Sequence, residues 1–155
     1  SEMCIRDSTY INGGTVTGTT QVGGFNGQMA GRATLNNTYT RVSVTGTTNA
    51  IGGLVGTQNS TAIYNSFAAG TVTGNGGATG TARALGSSTA GTLTGLYFNS
   101  NSTCTNCTAD NGTGIDVGGT QPSSYFYDKT KAPLSSWDFI NIWYENAADY
   151  PTFQP

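Results

Sequence analysis

A unit of roughly thirty residues recurs along this chain, and recurrence at that interval excludes most single-core folds before any motif is weighed. The box Ile51-Gly-Gly-Leu-Val-Gly56 leads into Tyr64-Asn-Ser-Phe-Ala-Ala-Gly-Thr-Val-Thr-Gly74. One period earlier, Val22-Gly-Gly-Phe-Asn-Gly27 leads into Thr38-Tyr-Thr-Arg-Val-Ser-Val-Thr-Gly46. Gly27, Gly56 and Gly86 step by 29 and 30 residues, and Tyr10, Tyr39, Phe67 and Tyr97 by 29, 28 and 30. The closing glycines Gly18, Gly46 and Gly74 step by 28 each time.

Within a unit, Ile51-Gly-Gly-Leu-Val, Ala62–Phe67 and Gly70–Gly74 are runs of β-branched and aromatic residues punctuated by Gly, Asn and Ser, the mark of short strands. No helical period appears before the last thirty or so residues. The expected fold is therefore all-β: a parallel β-solenoid, a right-handed β-helix of about three to four coils with a C-terminal aromatic cap, rising about 4.8 Å per coil. Ile51, Leu54, Ile63, Phe67 and Val72 are expected inside, over Val22, Phe25, Leu35, Tyr39 and Val44 of the coil before. A single coil buries too little to offset its own ordering, so stability must come from neighbours. Gly23-Gly24 and Gly52-Gly53 are expected at tight corners or close backbone approaches.

The third box reads Ala82-Arg-Ala-Leu-Gly86, and terminal repeats are commonly atypical. Solenoid repeats are thus expected over 9–98, a Cys-containing loop over 99–121 and an aromatic cap over 122–155. That cap gathers Tyr125, Phe126, Tyr127, Trp137, Phe139, Trp143, Tyr144, Tyr150 and Phe153. Such rings would close the open end of the solenoid and hide its strand edges, or offer a sugar-stacking platform. Ser135 or Ser136 is placed to start a short helical turn. Residues 1–8 hold three of the fourteen charges and one of the three cysteines, lack the Gly/Thr character that follows, and are set aside as a non-native leader.

Charge narrows the function further. Only 9% of residues are charged, the net charge is -2, and there is no histidine. Six scattered basic residues make no footprint for nucleic acid or an anionic membrane, and no stretch is apolar enough to span one. From Ser8 to Ala109 there is no Asp or Glu, whereas polysaccharide lyases and hydrolases built on β-helices need carboxylates. The expectation is a protein without catalysis, without a cofactor and without a metal.

The boxes at 22–46 and 51–74 resemble the GLUG repeat of bacterial surface proteins, including large filamentous-haemagglutinin-like adhesins. The tail is similar as well, in Asn111-Gly-Thr-Gly-Ile115, Trp137-Asp-Phe-Ile-Asn-Ile-Trp143 and Tyr150-Pro-Thr-Phe153. The chain departs from the pattern at Phe25-Asn26 and over 75–90. The resemblance implies export, display at the cell surface and roles related to adhesion, with host or environmental glycans or surface proteins as partners. It supplies no catalytic residues. The alternative from another class is a fragment of a carbohydrate-binding or carbohydrate-processing β-helix.

Three smaller motifs carry their own expectations. Cys104-Thr-Asn-Cys107 reads as a small-loop disulfide of an exported protein; a redox motif would need a following helix. Gly112-Thr-Gly-Ile-Asp-Val117 echoes a calcium loop but occurs once, so a polar turn is expected. The acceptor patterns at Asn36, Asn59 and Asn101 are unremarkable in a chain with 27 threonines. Finally, Thr15-Val-Thr17, Ser43-Val-Thr45, Thr71-Val-Thr73 and Thr92-Leu-Thr94 set hydroxyls on one strand face and an aliphatic residue on the other. Stacked, they would form an outward threonine ladder similar to the ice-binding faces of β-solenoid antifreeze proteins. Ordinary exposed-strand preference explains the same residues.

Overall fold

The structure, a computed structural model, describes residues 5–76, 78–100, 102–108, 113–115, 127–132 and 134–155. Its strands are β1 (Ile5–Ile11), β2 (Thr15–Gly23), β3 (Asn26–Ala30), β4 (Thr34–Thr40), β5 (Ser43–Gly52), β6 (Val55–Asn59) and β7 (Thr61–Ala68). They continue as β8 (Val72–Gly74), β9 (Thr79–Ala82), β10 (Leu85–Ser88), β11 (Gly91–Asn99), β12 (Cys104–Thr105), β13 (Thr113–Ile115), β14 (Trp143–Tyr144) and β15 (Thr152–Phe153). All pair in parallel except the final β14–β15 hairpin.

The parallel strands form a solenoid of about three turns with three walls. The aromatic wall runs β1-β4-β7-β11-β13, the threonine wall β12-β8-β5-β2 with β9 also on β5, and the short wall β10-β6-β3. Residues one period apart meet in register: Tyr10 with Tyr39, Tyr39 with Phe67, Phe67 with Tyr97, Val22 with Ile51, and Val44 with Val72. The stack also runs past residue 98, because β12 and β13 begin another coil. At the other end β1 lies over β4 from Ile5 onward. The degenerate region 75–90 keeps the same course, its longest strand split into β8 and β9.

Each Gly-Gly box is a corner between walls and not a strand. Ile51-Gly52 ends β5, Gly53-Leu54 bends, and Val55 opens β6. A Cβ on Gly24 would overlap the Gly53 carbonyl, and one on Gly53 the Arg83 carbonyl; one on Gly52 would meet Ala84 O and Gly86 N. The Gly24 and Gly53 clashes are with the corner of the following coil, whereas Gly52 would also meet Val55 O of its own coil. Arg83 in the degenerate third box is explained by this: among the described residues no corner follows it, so a side chain is tolerated there. Gly86 is kept because its Cβ would strike the Ala50-Ile51 backbone of the coil before.

The interior is filled as the repeats require. Met29, Leu35, Leu54, Val55, Ile63, Leu85, Leu96 and Phe98 form one buried cluster between the short and aromatic walls. Val22, Val42, Val44, Ile51, Val72 and Ala78 form another behind the threonine wall. Phe67 and Tyr39 do not join either. They were expected inside, yet they stand on the outer side of the aromatic wall, buried in a third cluster with Leu134, Trp137, Trp143 and Tyr150. The reason is local: Asn65 and Asn37 have φ of 47° and 49°, as do Ser8 and Gly95 in the same column at 60° and 68°. Each left-handed residue resets the in-out alternation of its strand, so Ile63 and Ala68, five apart, are both inside and Phe67 is turned out.

That outward column determines where the C-terminal segment goes. Its described residues 134–155 lie sideways across the aromatic wall as a strap and not over the end of the solenoid. A 3-10 turn at Leu134–Ser136 contains Ser135 and Ser136. Asp138 then accepts the Ile140 and Asn141 amides at 3.0 and 2.9 Å and reverses the chain into the β14–β15 hairpin.

Candidate functional site

Two surfaces of this rod carry patterned side chains, and they lie on different walls. On the threonine wall, Thr15 pairs with Ser43, Thr17 with Thr45, Thr45 with Thr73, and Thr73 with Thr105. The residue between each hydroxyl pair turns inward: Val44 and Val72 are fully buried, Val16 and Cys104 pack against the same cluster. Thr71 and Thr103 come just before Val72 and Cys104, and their carbonyls accept the Val44 and Val72 amides at 2.8 and 2.9 Å. Two columns result, Thr15/Ser43/Thr71/Thr103 and Thr17/Thr45/Thr73/Thr105, exposed or half-exposed throughout.

Thr92 and Thr94 do not belong to these columns. They are exposed on β11 of the aromatic wall, in register with Ala62 and Tyr64. In their place the structure supplies Thr103 and Thr105, which sequence reasoning missed. The signal was present as Thr-Cys-Thr, with the cysteine standing where the other units have valine.

Cys104 and Cys107 are joined as a disulfide with Cα atoms 5.8 Å apart. Strand β12 leads into it, and Asn106, at φ 58°, turns back to donate from Nδ2 to the Gly74 carbonyl. The Thr108 amide donates to Thr81 O at 3.0 Å. The loop is therefore a strand-closing turn, and it ties this coil to the valine core. The calcium-loop echo at 112–117 lies outside the described residues apart from the 113–115 backbone, as do Cys4, Asn101, Tyr125 and Phe126. Among the described residues no three His, Cys, Asp or Glu side chains converge on a point where a metal would sit.

The second surface is the aromatic wall, and the strap consumes it. Trp143 contacts the rings of Tyr39 and Phe67, both at 6.0 Å between centroids; Trp137 contacts Phe67 and Tyr97; Phe153 contacts Tyr10 and Tyr39. Tyr150 stacks on Phe67 at 5.5 Å and its hydroxyl accepts from Asn99 Nδ2. Arg41 donates to Asp149 at 2.8 Å and lies over the Tyr150 ring. Burial works against ionisation of Asp149, but hydrogen bonds from Arg41 and the Tyr150 amide, with the Arg41 charge, hold its carboxyl below the usual aspartate range. Burial pushes the Tyr150, Tyr39 and Tyr97 phenols up. Among the described residues the most exposed rings are those of Tyr10 and Tyr144, each about half exposed.

No helix among the described residues is long and apolar enough to cross a membrane. No protein-family model, curated protein or solved structure matches the chain.

Proposed function

We propose that this chain is a non-catalytic module of an exported bacterial surface protein, acting in adhesion or as a display stalk. The supporting observation is the coil-by-coil register, in which Tyr10, Tyr39, Phe67 and Tyr97 align across four successive coils and one strap spans all four. Such a stack lengthens by about 4.8 Å for each added coil without a new kind of contact, which suits a protein whose task is to hold a surface away from its anchor. The Cys104–Cys107 disulfide accords with an oxidising compartment outside the cytoplasm. So do the boxes that resemble GLUG repeats. Partners on this reading are glycans or proteins of other surfaces.

A carbohydrate-processing β-helix is the weaker reading. The candidate sugar platform is taken up internally, since Trp137, Trp143, Tyr150, Tyr39 and Phe67 are each at most 8% exposed.

The test is to express the full-length gene with an epitope inserted at the exposed Gly13-Gly14 turn and to label intact cells. Labelling without lysis is the expected result; an epitope reached only after lysis overturns the reading. Turnover of any polysaccharide by the purified protein would overturn its non-catalytic part.

A further inference from the structure

We propose that the threonine wall is an ice-binding surface, a role separate from surface display. The argument starts from the two hydroxyl columns. Seven of their eight positions are threonine and the eighth is Ser43. Preference of exposed strands for threonine would also allow mixed columns such as that of the short wall, whose registered, exposed or half-exposed positions carry Gln28, Thr57 and Ser87. The two columns are near-uniform, whereas the short wall and the Thr20/Asn49/Thr79 column further along the threonine wall are mixed.

The geometry specifies the kind of ligand. Along the stack the hydroxyls repeat at about 4.8 Å, and along each strand, two residues apart, at about 6.6 Å. That is a rectangular net on the scale of the oxygen net of hexagonal ice, with a methyl group beside every threonine hydroxyl. Threonine is stiff at χ1, and the buried valines between the columns fix the backbone beneath, so little order remains to be gained on binding. The strands of this wall contain no charged residue, which leaves nothing for an ionic partner to pair with. They contain no aromatic ring either, and rings are what stack on sugars; those of this protein gather on another wall. An uncharged, periodic array of hydroxyls and methyls fits an uncharged, periodic solid.

The experiment uses the purified 155-residue chain and ice itself as the probe. Thermal hysteresis, ice-crystal shaping and incorporation into a growing ice hemisphere are measured for the parent, for Thr45→Lys and Thr17→Lys on the columns, and for Thr92→Lys on the aromatic wall. Circular dichroism shows whether each variant retains its fold. The expected result is that the parent shapes ice and enters it, that both column variants are excluded, and that Thr92→Lys behaves as the parent. A parent excluded from ice overturns the proposal, as does equal loss in Thr92→Lys. Binding to crystalline cellulose or chitin that depends on Thr45, without any effect on ice, would reassign the wall to polysaccharide and overturn it also. Cell-surface labelling is unaffected by any of these outcomes.

Discussion

Tyr39 lies flat against Phe67, with ring centroids 5.0 Å apart and planes 4° from parallel, on the outside of the sheet whose strands they bridge. The strap covers the outer side of the pair. Phe67→Ala is therefore expected to cost about 3–5 kcal/mol and to expose Trp137 and Trp143, giving a red shift in tryptophan emission. Ile63→Val, inside the solenoid, is expected to cost about 0.5–1.5 kcal/mol with emission unchanged. Equal red shifts in the two variants would mean that strap and core unfold as one unit.

The corner glycines make an asymmetric prediction. Gly53→Ala places a methyl into the Arg83 carbonyl of the next coil, a backbone atom that cannot swing aside, and is expected to abolish the folded circular-dichroism spectrum. Arg83→Ala stands at the equivalent corner, with no described corner stacked beyond it. It loses the Nε hydrogen bond to Ser102 O at 3.0 Å and is expected to cost about 1 kcal/mol. Similar melting temperatures for the two variants would refute this account of the degenerate box.

Ser60 occupies a left-handed position at φ 55°, and the residue one coil earlier is Gly31 at φ 75°. A non-glycine residue there costs about 1–2 kcal/mol, while glycine adds roughly 0.5–1 kcal/mol of unfolded-state entropy. Ser60 is exposed, and its hydroxyl donates only to the adjacent, exposed Asn59 Oδ1 at 3.1 Å. Ser60→Gly is accordingly expected to stabilise the chain by about 0.5–1 kcal/mol, read as a rise in urea midpoint; a fall would show that Ser60 contributes a contact through its hydroxyl.

The spacing of Gly18, Gly46 and Gly74 and of the four aromatics was enough to state the register, because in a parallel stack a residue must meet its own copy one period away. Which wall a residue faces was not legible from period-2 alternation, because Asn37 and Asn65 reset the alternation and asparagine occurs elsewhere in the chain without doing so. For the same reason Thr92 and Thr94 looked like members of the ladder although they stand on the wrong wall. The strap was visible as an aromatic concentration, but its place was not: 134–155 has no period to align with the repeats, and its position follows from Tyr10, Tyr39, Phe67 and Tyr97 being turned outward. The Thr103/Thr105 rung is hidden in the sequence because Cys104 stands at the inward position that valine holds in the other units.

The Arg41–Asp149 pair links the strap to the solenoid, and its contribution depends on pH with a definite sign. Asp149 has a lowered pKa in the folded chain, so the stabilisation it supplies is present above the ordinary aspartate range and disappears as pH falls through the folded value. Its side chain is 39% exposed and that of Arg41 27%, which limits the pair to about 1 kcal/mol or less. Asp149→Asn keeps an oxygen for the Tyr150 amide, which donates to Oδ1 at 2.8 Å, and removes the charge together with the Oδ2 acceptor of the Arg41 hydrogen bond. In urea unfolding the variant is expected to be less stable than the parent at neutral pH and indistinguishable from it once Asp149 is protonated. Added salt should narrow the neutral-pH difference in the same direction. A gap of the same size in acid would assign the effect to packing around Tyr150 and remove the ion pair from the account of how the strap is held.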